Sequence, residues 1–240
     1  FVDREITLRP SLERNSGEVR IAVVNDDCLA LARCLHATDP TDDICVLNMA
    51  SSRNPGGGVW GGAGAQEEYL FRCTDYYRFL YQYANNFDPQ AYHVQRNAHH
   101  RYPLDPLYGG IYSHGVTVFR DTEANGYALL DSPVRLNFVA VAAFPFNERC
   151  DAIPQPYVEP TKDKIRLMLR LAANNGQRRL VLGAFGCGAF HNEPHHMAQL
   201  FRQVINESEF QGLFTSISFA VIEDHNSTNN YTAFRDVLEG

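Results

Sequence analysis

The chain has 240 residues, of which 45% are hydrophobic and 20% charged, and this composition excludes a wholly disordered protein. Its 28 acidic and 21 basic residues give a net charge of -7, which argues against a general nucleic-acid binder because phosphate neutralisation supplies most of that affinity. No apolar run approaches the roughly 18 residues of a membrane helix. We therefore expect one monomeric domain over residues 1–240, with no membrane segment and no direct DNA binding.

Short apolar runs alternate with helical patterns along the chain. The strands are predicted at residues 20–24, 44–49, 116–120, 137–144, 179–185 and 215–222. The helices are predicted at residues 28–36, 66–83, 161–174, 194–205 and 231–238. Gly176 is expected to supply a left-handed helix cap, and Pro194 to begin a helix. Most of the strands are nearly continuous apolar runs, which is typical of strands buried on both faces. The alternation predicts an α/β layer fold.

Residues 85–113 form the one irregular region, which is rich in Tyr and His and too long for a simple loop. We predict an insertion into the domain, because segments of this length are usually lids, binding elements or disordered insertions. The six cysteines include no C-x-x-C pair, and this spacing predicts free thiols. Free thiols indicate a reducing, intracellular location in the cytoplasm or nucleus.

A glycine-rich loop leaves the second predicted strand and leads into a helix. Gly56, Gly57 and Gly58 let the backbone approach a ligand closely and direct N–H groups at anionic oxygens, so that a diphosphate is the natural guest. A flexible surface turn is the alternative. The loop lacks the Lys-Ser/Thr of a P-loop. Its G-x-G-x-x-G spacing lacks the acidic strand end that dinucleotide binding requires about 20 residues later.

Two adjacent carboxyl groups, those of Glu67 and Glu68, follow this loop. On a helix they point about 100° apart, so that one could face a reacting centre while the other holds a neighbouring hydroxyl. A helix N-terminus favours the charged form of a carboxyl group, so a general acid at this place needs burial or a nearby anion to keep its proton. The alternative is that both residues only complement the helix dipole.

The three glycines, seven further residues and then Gln66-Glu67-Glu68 resemble the signature of poly(ADP-ribose) glycohydrolases. The flanking Asn48-Met49-Ala50-Ser51 and Asn54-Pro55 resemble the microbial branch of that family, whose members are bacterial and fungal. Blocks at residues 112–121, 132–135 and 182–190 are similar to other parts of it. The resemblance implies a macrodomain, which is a three-layer α/β/α fold with a central mixed sheet that binds ADP-ribose at the strand ends.

A second glycine loop leaves the predicted strand at residues 179–185. Together with the first loop it could clamp a diphosphate, and Phe190 would offer a flat face to a ribose unless it is a core aromatic. Cys187 is interpreted as a packing residue rather than a nucleophile. The substrate-binding residues expected in this loop are Gly186, Cys187, Gly188, Ala189 and Phe190.

The His-rich segment after this loop does not have the spacing of a metal site. His191, Glu193, His195 and His196 do not form His-Glu-x-x-His, and Pro194 begins a helix between them. We interpret the segment as a solvated helix start, and we expect no metal and no cofactor.

The resemblance implies hydrolysis of the ribose–ribose O-glycosidic bonds of poly(ADP-ribose), with ADP-ribose as the product. Such an enzyme acts on poly(ADP-ribose) or ADP-ribosylated proteins, and reverses ADP-ribosylation in the DNA damage response. Glu68 would be the catalytic acid and Glu67 would bind a ribose hydroxyl. Asn48 would fix the ribose, and Gln66 would also bind substrate.

Two alternatives remain on the same fold. One is a hydrolase that removes single ADP-ribose units from proteins, which the sequence separates poorly from a polymer hydrolase. The other is a non-catalytic ADP-ribose reader, against which the adjacent carboxyl groups argue. The insertion could decide between the two hydrolases by admitting or blocking a polymer. The compact family members lack elements that grip a chain on both sides, which favours trimming from chain ends.

Overall fold

The computed structural model describes residues 1–41, 43–85, 88–149, 151–223 and 229–240. Its strands are β1 (Val2–Asp3), β2 (Arg20–Val24), β3 (Ile44–Met49), β4 (Gly109–Arg120), β5 (Leu129–Val141), β6 (Arg179–Leu182) and β7 (Ser216–Ala220). Its helices are α1 (Cys28–Thr38), α2 (Gln66–Cys73), α3 (Tyr77–Leu80), α4 (Pro89–Tyr92), α5 (Gln155–Asn174), α6 (Pro194–Ile205) and α7 (Asn230–Leu238). The predicted alternation of strands and helices is confirmed.

The seven strands form one mixed sheet in the order β1-β4-β5-β3-β6-β7-β2. The strands β5, β3, β6, β7 and β2 run parallel to one another. In contrast, β4 is antiparallel to β5, and β1 is antiparallel to β4. Because β3 lies between β5 and β6, the loop after β3 leaves the middle of the carboxyl edge, where open α/β sheets bind their ligands.

Helices cover both faces of this sheet. One hydrophobic core contains side chains of α5, α6 and α7, and the other contains side chains of α1 and α2. Alternation along β3 supplies both cores, since Cys45 and Leu47 join the first and Ile44 and Val46 the second. The three-layer α/β/α arrangement predicted for a macrodomain is therefore confirmed.

The strand bounds differ from the prediction mainly where the sheet is antiparallel. β4 begins at Gly109 and β5 at Leu129, before the predicted residues 116 and 137. Exposed residues interrupt both segments, so they lack the continuous apolar run that marks a strand buried on both faces. That prediction is confirmed for β3, β6 and the part of β5 from residue 137 onward, whereas the first half of β5, which was not predicted as a strand, is largely exposed. The predicted strands 137–144, 179–185 and 215–222 are also too long, because their last apolar residues begin loops.

The helix bounds show one full agreement and two corrections. α6 has the predicted bounds, and Gly176 follows α5 with the expected positive φ of 76°. The predicted start of α5, residue 161, lies just after Pro160. The helix in fact begins at Gln155 and includes that proline. The helix predicted at residues 66–83 is divided, because Thr74 adopts an extended backbone and forms a bridge to β4.

The described part of the insertion is packed against the domain. Its residues Val94, Tyr102 and Leu104 are buried, and the N–H of Leu104 donates to the C=O of Ser52 in the first glycine loop (2.7 Å).

That residues 1–240 form a single domain stays a prediction. Among the described residues no helix is long and apolar enough to cross a membrane. Five cysteines are free, and Cys150 lies outside the described residues.

Candidate active site

The side chain of Gln66 ties the first turn of α2 to the end of β3. Its Oε1 accepts a hydrogen bond from the N–H of Met49 (2.9 Å), and its Nε2 donates to the C=O of Leu47 (2.6 Å). β6 pairs with β3 only as far as Val46, so the Gln66 amide takes the place of a neighbouring strand beyond that residue. Substrate binding by Gln66 stays a prediction, while its amide has a clear structural use.

Glu67 is a buried carboxyl group that is 3% exposed and held by three N–H donors. Its Oε1 accepts from Asn48 Nδ2 (3.2 Å) and from the N–H of Gly56 (3.1 Å), and its Oε2 accepts from the N–H of Ser51 (2.6 Å). Burial raises the pKa of Glu67 to about 8, against the lowering effect of these donors. Glu67 can therefore hold a proton near neutral pH.

Glu68 is also buried, at 7% exposure, but its two oxygens differ. Its Oε1 accepts from the N–H of Gly58 at 2.7 Å. Its Oε2 is buried and has no hydrogen-bond partner among the described residues. One oxygen is thus anchored to the glycine loop, while the other remains available to a ligand.

The N–H groups of the three glycines are all engaged inside the protein. Gly56 and Gly58 donate to the two glutamates, and Gly57 donates to the C=O of Asn54 (3.1 Å). From the sequence, these groups were expected to point at anionic oxygens of a ligand. In the structure Gly56 and Gly58 orient the carboxyl groups instead, and substrate binding by the loop stays a prediction.

Gly57 occupies a position where a side chain would displace the carboxyl group of Glu68. Its φ is +55°, a left-handed conformation that L side chains rarely adopt. A Cβ at this place would lie 2.3 Å from Glu68 Oε1 and 3.3 Å from Glu67 Oε2. The second Cα hydrogen of glycine, which takes the place of a Cβ, therefore leaves both carboxyl groups the space they occupy.

Several buried polar atoms near Glu67 have no hydrogen-bond partner among the described residues. Asn48 Oδ1 and the hydroxyls of Tyr76 and Tyr102 are buried without a partner among the described residues. Tyr76 lies beside Asn48 and Ser113, and Tyr102 interacts electrostatically with Glu67. Burial raises the pKa of both tyrosines, so each is a neutral hydroxyl. Neither tyrosine was predicted from the sequence, because neither belongs to a motif and Tyr102 lies in the aperiodic insertion.

The second glycine loop follows β6 and is held by Asn192. Asn192 Nδ2 donates to the C=O groups of Phe144 (2.9 Å), Gly186 (3.1 Å) and Phe190 (3.3 Å). Gly186 has a φ of +72°, and a Cβ there would lie 2.6 Å from both Asn192 Nδ2 and Ala143 Cβ. Its tight packing fixes the path of this loop at the carboxyl edge of the sheet.

Three consecutive N–H groups of this second loop have no partner among the described residues, in contrast to the glycine N–H groups of the first loop. The N–H groups of Gly188, Ala189 and Phe190 have no partner in the described part of the chain, and the first two residues are exposed. Phe190 is half-buried and packs against the core. Cys187 is buried, and burial raises the pKa of its thiol, which agrees with a packing role rather than a nucleophile.

The His-rich segment after this loop is a helix start. Glu193 caps α6 by accepting from the N–H groups of His195 (3.0 Å) and His196 (2.6 Å). His196 Nδ1 in turn accepts from the N–H of Ile153 (3.0 Å). No group of three His, Cys, Asp or Glu side chains among the described residues could hold a metal ion. The capping contacts explain why acidic and His residues cluster here.

Comparison with known proteins gives the family. Residues 6–121 match the catalytic domain of microbial-type PARG, the poly(ADP-ribose) glycohydrolase. The PARG of Thermomonospora curvata bound to the inhibitor ADP-HPD is 34% identical, covers 91% of this chain and 78% of its own, and has a TM-score of 0.73. This chain belongs to the microbial-type PARG family. The PARG of Deinococcus radiodurans in complex with ADP-ribose is 33% identical over 94% of this chain and 86% of its own, with a TM-score of 0.71. A search of curated proteins found no match.

The site residues predicted for this PARG-family member lie in two groups. In the first group, direct hydrogen bonds join Glu67 to Asn48 and Gly56, and another joins Glu68 to Gly58. The second group lies on the loop after β6, at the same edge of the sheet. The first residue of that loop is Gly183, and a Cβ there would be 3.5 Å from Met49 Cε of β3. Their individual roles stay predictions.

Proposed function

We propose that this chain hydrolyses the ribose–ribose O-glycosidic bonds of poly(ADP-ribose) and releases ADP-ribose, with Glu68 as the general acid. The observation that carries the assignment of the acid is the difference between the two oxygens of Glu68. Oε1 is fixed by the N–H of Gly58, whereas Oε2 is buried and unpartnered among the described residues. A buried, oriented oxygen with a free position is what proton transfer to a leaving group requires.

The reaction then follows from the position of Glu68. Its carboxyl group donates a proton to the departing ribose oxygen as the bond to the anomeric carbon breaks, through an oxocarbenium-like transition state. The resulting carboxylate takes a proton from the water that attacks the anomeric carbon, so the acid is restored. Glu67 Oε2 accepts one hydrogen bond from Ser51 and retains a lone pair for a ribose hydroxyl.

The second glycine loop supplies the donors for the diphosphate. The N–H groups of Gly188, Ala189 and Phe190 are consecutive and unpaired in the described part of the chain, an arrangement that suits an anion. The five free cysteines fit an intracellular enzyme that acts on ADP-ribosylated proteins.

The decisive experiment compares the wild type with Glu68→Gln on auto-modified poly(ADP-ribosyl)ated protein. A glutamine at this position still accepts the Gly58 N–H through its oxygen, so the loop keeps its shape while the acid is lost. We expect the release of ADP-ribose to fall at least ~100-fold. Affinity for ADP-ribose, measured by calorimetry, should stay within a few-fold of the wild type.

The outcomes separate this proposal from its alternatives. A shortened polymer with a persistent mono-modified stump identifies the ribose–ribose bond as the target. Complete removal of single ADP-ribose units from protein would identify a mono-ADP-ribosyl hydrolase. Binding of ADP-ribose without any release by the wild type would identify a reader, and normal turnover by Glu68→Gln would remove Glu68 from the mechanism.

A further inference from the structure

The single tryptophan of the sequence, Trp60, stands in the first glycine loop with 74% of its surface exposed. Two tyrosines lie beside it. The Trp60 and Tyr92 ring centroids are 5.9 Å apart at an interplanar angle of 62°, and the Trp60 side chain lies close to the Tyr81 hydroxyl. An indole that is largely exposed and supported by neighbouring rings is suited to stacking on a flat ligand.

The two tyrosines are themselves fixed by further aromatic contacts. Tyr81 and Tyr92 meet edge to face with centroids 5.1 Å apart, and Tyr77 lies 6.0 Å and 6.2 Å from them. Tyr92 ends α4 in the insertion, whereas Tyr77 begins α3. The insertion thus contributes directly to the support of Trp60. An indole held in place before binding loses little conformational freedom when a ligand stacks on it.

Trp60 lies close to the acid along the chain. It follows Gly58 by two residues, and the N–H of Gly58 holds Glu68 Oε1. Successive Cα atoms are about 3.8 Å apart, so the Cα of Trp60 is within about 8 Å of that of Gly58. The turn that carries the indole begins at Gly58, whose C=O accepts from Gly61 (2.9 Å). The indole therefore lies on the same turn as the residue that holds Glu68, the proposed acid.

The chemistry of the polymer places an adenine in this region. The leaving oxygen is the 2′ oxygen of an adenosine ribose, and the neighbouring carbon of the same ribose carries the adenine. We propose that Trp60 stacks on the adenine of the leaving ADP-ribose unit and so forms a subsite for the second unit of the polymer. This inference rests on the proposed function, because Glu68 must be the acid for the leaving group to lie near this turn.

The single tryptophan makes the test direct, since indole fluorescence reports on Trp60 alone. The Glu68→Gln protein is titrated with poly(ADP-ribose) and, separately, with ADP-ribose. We expect strong quenching by the polymer and little by ADP-ribose, which has no second adenine. Equal quenching by the two ligands would overturn the assignment, as would the absence of quenching by a polymer that calorimetry shows to be bound.

Kinetics supply an independent readout. Trp60→Ala should lower kcat/KM on poly(ADP-ribose) about 10-fold, the loss expected for one base–aromatic stack, while Trp60→Phe retains most of it. Leu129→Ala is the matched control, because Leu129 is 73% exposed and begins β5, at the end of that strand away from the site. An active wild type with Trp60→Ala within twofold of it would refute the subsite alone. A wild type that releases no ADP-ribose would instead refute the proposed function.

Discussion

Replacing Gly57 by Ala tests whether the first glycine loop exists to hold the carboxyl groups. The new Cβ would lie 2.3 Å from Glu68 Oε1, whereas ordinary contact begins near 3.4 Å. The oxygen must therefore move by about 1 Å, and its hydrogen bond to Gly58 cannot keep its 2.7 Å length. A 1 Å displacement of a reacting group can lower a rate about 100-fold. We expect a loss of kcat of that size for Gly57→Ala.

The stability of this variant should change much less than its activity. A side chain at φ +55° costs ~1 kcal/mol, and the Glu68 side chain can rotate away from the methyl group. For a chain of this size such a loss lowers Tm by about 2–4 °C. Calorimetric unfolding and release of ADP-ribose from modified protein measure the two effects separately.

Gly62→Ala is the control for backbone strain in the same loop. Gly62 has a φ of +79°, but a Cβ there meets no described atom within 4 Å. We expect a similar decrease in Tm with near-normal turnover. If Gly57→Ala and Gly62→Ala lose the same activity, or if Gly57→Ala keeps more than half of it, the proposed fit between loop and carboxyl groups is wrong.

Three further changes test the surrounding structure. Gln66→Leu leaves two backbone groups of β3 unsatisfied, so urea unfolding should show a loss of about 3 kcal/mol. Asn192→Ala removes three bonds to the second glycine loop and should weaken ADP-ribose binding about 10-fold by calorimetry, because the loop loses its fixed shape. Burial raises the pKa of Glu67 to about 8, so the folded state retains a proton that the unfolded chain releases near pH 4.5. Stability should therefore fall as the pH rises between these values, and Glu67→Gln should flatten this part of the Tm–pH curve.

The sequence predicts elements well where one local signal decides them. α6 has Pro194 at its first position and a regular apolar stripe, and its bounds were predicted correctly. β3 is buried along nearly its whole length, and its continuous apolar run gave both ends correctly. In both cases the local preference and the tertiary environment agree.

The errors occur where a distant partner decides the backbone. Nothing local ends a helix at Cys73, but Thr74 forms a bridge to Val118 in the antiparallel part of the sheet. β4 pairs with β5 from Gly110 onward, although its first residues are glycines with no strand preference of their own. Short stretches of sequence therefore could not reveal the pairing of segments that lie far apart along the chain.

The site was predicted in outline but not in its internal contacts. The sequence placed Glu67 and Glu68 at a helix start beside a glycine loop, and this is where they lie. It could not show that the Gln66 amide hydrogen-bonds the backbone at the end of β3, because that role depends on where β6 stops pairing with β3. Nor could it place Tyr102 near Glu67, since 35 positions separate the two and Tyr102 lies in the aperiodic insertion.

The two glycine loops differ in what their N–H groups do, and this difference explains how an acidic chain can bind a polyanion. A protein with a net charge of -7 gains little from long-range attraction to phosphate. The first loop uses its N–H groups to orient Glu67 and Glu68. The second presents consecutive N–H groups that no described residue occupies. Backbone dipoles attract an anion without the help of a positive side chain. The Arg149 guanidinium, which donates to the C=O of Cys187 (3.2 Å), adds one positive charge beside the same loop.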